Sequence, residues 1–264
     1  MTNAITRTVH LRADQSDLPV TIAEVGSGRT ALVLHGGGGP ATVASIATHL
    51  SPTMHVITPT HPGWNGTERP AWLTSVADLA RAYLQLLQDE GLRDVVVVGS
   101  SLGGWIACEM ALRDEGSRIA GLVLIDTGGV EIAGQPIRNF FALDARGVAE
   151  YAYYDADRFY VDPATLSAEQ VALQRANMAA LRFIAGDPYM HDPTLLSRLG
   201  RIQVPTLVLW GDSDRIITPA YGRAFAGALA NARFTLVTAA GHLPHIEQPG
   251  ATFAALDAYL QSGA

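Results

Sequence analysis

A hydroxyl, an imidazole and a carboxylate brought to one site can perform acyl transfer. This chain offers candidates for all three, each just beyond a run of strand-forming residues. The first lies in "VVVVGSSLGGW" (residues 95–105), where four valines run into small residues. Centred on Ser101, the spacing Gly99-Ser100-Ser101-Leu102-Gly103 is G-x-S-x-G; centred on Ser100, the flanking positions are Val98 and Leu102 and the pattern fails. A serine at a sharp strand-to-helix turn takes a strained backbone, and its neighbours two positions away must be small so that strand and helix pass closely. Gly104 adds clearance. The turn lifts the Ser101 hydroxyl to the N-terminus of an expected amphipathic helix, "LGGWIACEMALRDE", where the dipole favours developing negative charge. The bland alternative is a tight glycine turn with an idle serine.

A serine hydroxyl needs a base, and the base needs a third group to fix its tautomer. "LVLWGDSDRIITP" carries Asp212 and Asp214, and "TLVTAAGHLPHIEQP" carries His242 and His245. Ser101, Asp214, His242 run in the order nucleophile, acid, base. Asp212 as a turn residue, Asp126 at the end of "GLVLID" as an acid from a neighbouring strand, and His245 as base or local hydrogen-bonding residue remain alternatives. Earlier, "LVLHGGGGP" places His35 and four glycines after a strand. Acyl transfer needs backbone N–H donors aimed at the developing oxyanion, and glycines allow that approach. Gly37 is the preferred donor and Leu102 N–H the second, with Gly36 and Gly38 beside the substrate and His35 orienting the loop.

The elements that must position these groups alternate. Short apolar runs read as strands at 19–25, 30–35, 54–59, 94–99, 119–125, 205–210 and 232–238. Several are apolar at nearly every position, as strands buried on both faces of a parallel sheet must be. Between them lie helical spacings such as 75–91, with Ser75 as N-cap, Gly91 as C-cap, and Val76, Leu79, Tyr83, Leu86 and Leu87 on one face. The alternation predicts an α/β fold, a mostly parallel sheet with helices on both faces. Residues 131–203 break the rhythm with helical patterns such as 168–186, no convincing strand, and nine of the 19 aromatic residues. This insertion reads as a helical cap over a core of 1–130 and 204–264, with Phe140, Phe141 and Tyr154 as candidate substrate contacts. Met178 and Met190 read as ordinary packing, Trp105 as core, and His61 and Trp64 as pocket lining or an exposed turn. Arg138, Arg146 and Arg182 read as carboxylate binders or surface residues.

The chain has 264 residues, 48% hydrophobic and 16% charged, with a formal charge of −7. That balance fits one globular core and argues against nucleic acid or an anionic membrane as partner. The single cysteine, Cys108, forms no internal disulfide, which suits a reducing compartment. The first 19 residues show no signal-peptide pattern and no apolar run suffices to span a bilayer, so a cytoplasmic location is expected. His191 has no further ligands at metal spacing and no dinucleotide fingerprint follows a strand, so neither metal nor cofactor is expected.

"HGGGG", "GSSLGG", "WGDSDRIITP" and "GHLPHIEQP" together resemble the α/β-hydrolase fold superfamily, in its cap-bearing serine-hydrolase branch. The resemblance implies Ser101 as nucleophile, Asp214 as acid and His242 as base. One loop departs from it. Where the family often has D-x-P-G-x-G-x-S, this chain reads Thr60-His61-Pro62-Gly63-Trp64-Asn65-Gly66-Thr67, so no catalytic role is given to that loop; asparagine tolerates the left-handed conformation glycine would take. The expected activity is cofactor-independent hydrolysis of a small or medium carboxylic ester or lactone, by a monomer or homodimer. One alternative is a carbon–carbon bond hydrolase of a vinylogous diketone; such enzymes commonly carry a tryptophan soon after the histidine, and "GHLPHIE" does not. From another class comes a ligand-sensing protein with little turnover.

Overall fold

A computed structural model describes residues 4–13 and 16–263. The opening stretch, read above for a signal sequence, lies partly outside the described residues. Eight strands form one sheet: β1 (Ile5–Ala13), β2 (Ser16–Val25), β3 (Arg29–Leu34), β4 (Met54–Pro59), β5 (Val95–Ser100), β6 (Ile119–Ile125), β7 (Thr206–Gly211) and β8 (Ala232–Val237). Their order is β1-β2-β4-β3-β5-β6-β7-β8. β2 pairs antiparallel with β1 and β4, and the remaining pairs are parallel.

The helices are α1 (Ala44–Leu50), α2 (Val76–Asp89), α3 (Leu102–Ala111), α4 (Ala145–Ala152), α5 (Ala156–Phe159), α6 (Ala168–Ala185), α7 (Leu195–Arg198), α8 (Pro219–Ala228), α9 (Pro244–Glu247) and α10 (Pro249–Gln261). The strands read as unbroken apolar runs because each face has its own core. Leu32, Leu34, Val95, Val97, Val208 and Trp210 pack with side chains of α2, α3 and α8. Ala31, Val33, Val96, Val98, Leu207 and Leu209 pack with side chains of α1 and α10. The period-2 alternation of a strand is present, but both sides are buried.

Three local features differ from expectation. β1 is a strand that the apolar pattern does not announce: among its residues with described side chains only Val9 and Leu11 are buried, alternating with Thr8 and His10, which are exposed. It is an edge strand, held by Arg7, which donates to Glu24 at 2.6 Å and to Glu90 at 2.8 Å. α3 is not amphipathic; Leu102 through Met110 are all buried, because the sheet, α2 and the 127–130 turn enclose it. Its one charge, Glu109, pairs with Arg113 and, at 2.8 Å, with Arg198. The expected α2 has the Ser75 capping box and the expected buried face, but its last helical residue is Asp89 and its C-cap Glu90, with Gly91 following at φ +66°.

Between β6 and β7 the chain forms α4 to α7. Among the described residues of 131–203 the only β contacts are the isolated bridges Gly129–His191 and Gly186–Tyr189.

Candidate active site

Ser101 follows β5 and precedes α3, with φ 54° and ψ −115°. Its N–H donates to the Ile125 carbonyl at 2.8 Å, which pins the turn to β6. The glycines around it are demanded by backbone contact. A Cβ on Gly99 would lie 2.3 Å from the Gly103 carbonyl oxygen, and one on Gly103 would lie 2.1 Å from that of Leu34. Substitution at either forces strand and helix apart.

The turns after β7 and β8 bring two further groups to this serine. His242 Nε2 is 3.1 Å from Ser101 Oγ, and Nδ1 is 2.7 Å from Asp214 Oδ2. With the imidazole proton on Nδ1 donating to Asp214, Nε2 accepts from the serine hydroxyl. Asp214 is fully buried, and its other oxygen accepts from the N–H groups of Ile216 (2.8 Å) and Ile217 (3.0 Å). Those two bonds fix the carboxylate plane. The backbone of His242 is held from the insertion, donating to the Ala152 carbonyl at 2.6 Å.

Of the competing candidates, Asp212 and His245 fall elsewhere, while Asp126 lies in the same cluster as Asp214 and His242. Asp212 is exposed and accepts from Ser213 Oγ and Ala239 N–H, closing a turn. His245 Nε2 donates to the Thr42 carbonyl at 2.8 Å, and burial pushes its imidazole down to about 4. Asp126 is fully buried at the end of β6, accepts from Gly211 N–H at 3.0 Å, and lies beside Asp214. Burial and the neighbouring Asp214 charge hold its carboxyl well above the usual range, so Asp126 is the protonated member of the pair.

The glycine loop after β3 is held by a histidine pair. The His61 N–H donates to His35 Nε2 at 3.1 Å, so the His35 proton sits on Nδ1 and donates to the Gly36 carbonyl at 2.6 Å. His61 Nε2 donates to the His35 carbonyl at 2.9 Å and accepts, at Nδ1, from the Tyr83 hydroxyl at 2.5 Å. Burial lowers His35 well below the ordinary histidine range and His61 to about 4. Trp64 Nε1 donates to the Gly37 carbonyl at 2.9 Å. These bonds hold the Gly36 and Gly37 carbonyls, leaving the Gly37 N–H without a backbone acceptor among the described residues. Leu102 begins α3, where N–H groups have no partner within the helix.

A cavity of about 530 Å³ opens over Ser101 and His242, walled by Gly36, Gly37 and Gly38 and, from the insertion, by Phe140, Phe141, Leu143, Val148, Met178 and Leu181. Asn177 of α6 reaches down to this loop: its Nδ2 donates to the Gly38 carbonyl and Asn65 Oδ1, and its Oδ1 accepts from Asn65 N–H at 2.7 Å. Asn65 takes φ 51°, in the left-handed region expected of it.

Several expected contacts are not brought to the cavity. Trp64 and His61 are fully buried beneath the glycine loop, neither lining nor exposed. Tyr154 projects into solvent, 57% exposed, because its backbone rather than its ring is anchored. Met178 packs against the main core, as expected, and also lines the cavity. The three arginines are engaged elsewhere: Arg138 stacks on Tyr151, Arg146 pairs with Glu150 and Asp157, and Arg182 lies over Phe141. Sequence reasoning missed Asn177 and Glu247, polar residues that join the insertion to the core through partners mostly distant in the chain, which leave no local pattern.

Residues 31–256 match the family described as the alpha/beta hydrolase family, and the chain belongs to it. Among its relatives, it is 27% identical to a 2-hydroxy-6-oxononadienedioate/2-hydroxy-6-oxononatrienedioate hydrolase of Pseudomonas putida, covering 89% of each chain. It is 30% identical to a pimeloyl-[acyl-carrier protein] methyl ester esterase of Aromatoleum aromaticum, covering 83% of this chain and 92% of that one. In fold it is similar to a thermophilic esterase from Thermogutta terrifontis, with TM-score 0.75, 22% identity, and coverage of 97% and 98%. No helix among the described residues is long and apolar enough to cross a membrane.

Proposed function

We propose that this hydrolase cleaves uncharged carboxylic esters or lactones through an acyl-enzyme on Ser101. Ser101 Oγ attacks the carbonyl carbon while His242 Nε2 takes its proton, and Asp214 holds the imidazolium that forms. The Gly37 and Leu102 N–H groups stabilise the tetrahedral oxyanion. Collapse breaks the ester C–O bond, and His242 returns the proton to the departing alkoxide. Water then enters with His242 as base, and the acid leaves Ser101. Residues 131–203 act as a cap on the 1–130 and 204–264 core, supplying the apolar wall for the acyl or alcohol portion.

The observation that carries this reading is the charge of the cavity wall. No arginine lines it, and the chain contains no lysine; the one charged carboxylate on the wall, Asp144, is negative. The dioate named for the Pseudomonas putida relative carries two carboxylates, which a wall without a cation leaves unpaired. A neutral ester or lactone meets no such penalty. The apolar lining supports a substrate of small or medium size.

The test is a chromogenic panel of neutral acyl esters from acetyl to dodecanoyl, one aryl ester and one lactone, with Ser101→Ala as blank. Turnover abolished in the variant supports the reading. Equal rates in both proteins overturn it, and inactivity on the whole panel turns attention to carbon–carbon substrates and to ligand sensing.

A further inference from the structure

Glu247, in α9, is a buried acid that the chemistry above does not use. It is 6% exposed, and no arginine or histidine pairs with it among the described residues. Its charge is met by backbone amides from two separate places. Oε1 accepts from Tyr154 N–H at 2.9 Å and Asp155 N–H at 3.1 Å, both in the insertion. Oε2 accepts from Gly241 N–H at 2.5 Å, the residue before His242. The same two strips of backbone touch directly. His242 N–H donates to the Ala152 carbonyl at 2.6 Å, and a Cβ on Gly241 would lie 2.1 Å from that oxygen.

We infer that Glu247 is a positioning residue, whose carboxylate clamps the Tyr154–Asp155 backbone to the Gly241–His242 loop so that the placement of the imidazole depends on the insertion being seated. The role needs two acceptor oxygens and the full glutamate length. Glutamine offers one acceptor and turns an N–H₂ toward an N–H on the other side; aspartate keeps the charge but is one methylene short of bridging both strips. Losing the clamp frees the loop that carries His242, and small displacements of a catalytic group are costly in rate. The inference rests on His242 acting as base, as proposed above.

The experiment uses the full chain with Glu247→Gln and Glu247→Asp, and reads two quantities. Amide exchange is followed in peptides spanning 152–156 and 238–243, and kcat and KM are measured on an acetyl ester too short to fill the cavity. Both variants are expected to exchange about tenfold faster in both peptides, with β5 and β7 unchanged. The acetyl-ester kcat is expected to fall by about 10- to 100-fold, with KM altered less than about threefold. Faster exchange confined to 152–156 with kcat intact would make Glu247 only a tether of the insertion and overturn the inference. Wild-type behaviour of Glu247→Asp would overturn it as well. Should the wild type turn over no ester, the proposed function fails separately, and stoichiometric labelling of Ser101 by a fluorophosphonate replaces kcat as the second reading. If Glu247→Gln does not fold, Glu247→Asp decides alone.

Discussion

Asp126 and Asp214, at the ends of adjacent strands, share one buried site in which the two carboxyl groups are met unequally. Asp214 has two backbone N–H donors and the imidazole; Asp126 has one donor, from Gly211, and the neighbouring negative charge. A neutral carboxyl at 126 can donate toward Asp214, and an amide has the same capacity. Asp126→Asn is therefore expected to leave stability within about 1 kcal/mol of wild type. Asp126→Ala, which strands the Gly211 N–H, is expected to cost about 1–3 kcal/mol. Urea denaturation of both variants checks this, and equal losses would contradict a protonated Asp126.

The Ser101 turn holds strain that can be released separately from activity. Ser101→Ala keeps a Cβ at φ 54°, whereas Ser101→Gly removes it. Both should be inactive, with Ser101→Gly the more stable by about 1 kcal/mol. Gly103→Ala meets the Leu34 carbonyl oxygen at 2.1 Å, backbone against backbone, and should cost more than about 4 kcal/mol. Thermal melts of the three variants rank them; a stable Gly103→Ala would refute the close approach.

Stability should depend on pH through the buried histidines. His61 and His245 titrate near 4 in the folded chain against 6.5 unfolded. Between those values the unfolded chain binds protons that the folded one refuses, so stability is full above 6.5 and declines as pH falls toward 4. Each contributes on the order of 3 kcal/mol across that window. His245→Gln, whose amide can still donate to Thr42, should have a shallower slope in denaturation experiments between pH 6.5 and 4. An unchanged slope would remove His245 from the account.

A cation placed on the cavity wall should broaden the substrates accepted. Gln174 lines the cavity from an exposed position on α6. Gln174→Arg should raise kcat/KM for an ester with a terminal carboxylate, relative to its neutral analogue, by about fivefold, the size of an exposed ion pair. No change in that ratio would mean that wall charge does not govern selection.

The parallel centre of the sheet was legible because burial on both faces writes itself as continuous apolar runs, as in Val95 to Val98. β1 was not, since an edge strand buries alternate residues and "ITRTVHLRA" mixes them with arginine and histidine. The grouping of Ser101, Asp214 and His242 was legible because each lies in the turn after a strand, so local pattern and spatial grouping coincide. Trp64 and Tyr154 illustrate the limit: an aromatic near a site in sequence can serve its backbone anchor or a loop beneath the floor. Asn177 and Glu247 carry no such mark, because the contacts that tie the insertion to the core through them, Asn65 N–H and Tyr154 N–H, lie more than 90 residues away.

The Asn177 contact sets the terms on which this enzyme can be reshaped. α6 supplies one wall of the cavity through Met178 and Leu181, and through Asn177 it also fastens the loop containing Gly38. Remodelling that wall to admit bulkier substrates disturbs the anchor of the glycine loop, so under the role proposed for Gly37 gains in scope and losses in turnover are expected together. Another part of the wall, Leu143 and Val148 around α4, carries no bond to the glycine loop among the described residues. That side is tied instead to His242, whose N–H donates to the Ala152 carbonyl at the end of α4, so changes there act through the imidazole rather than through the glycine loop.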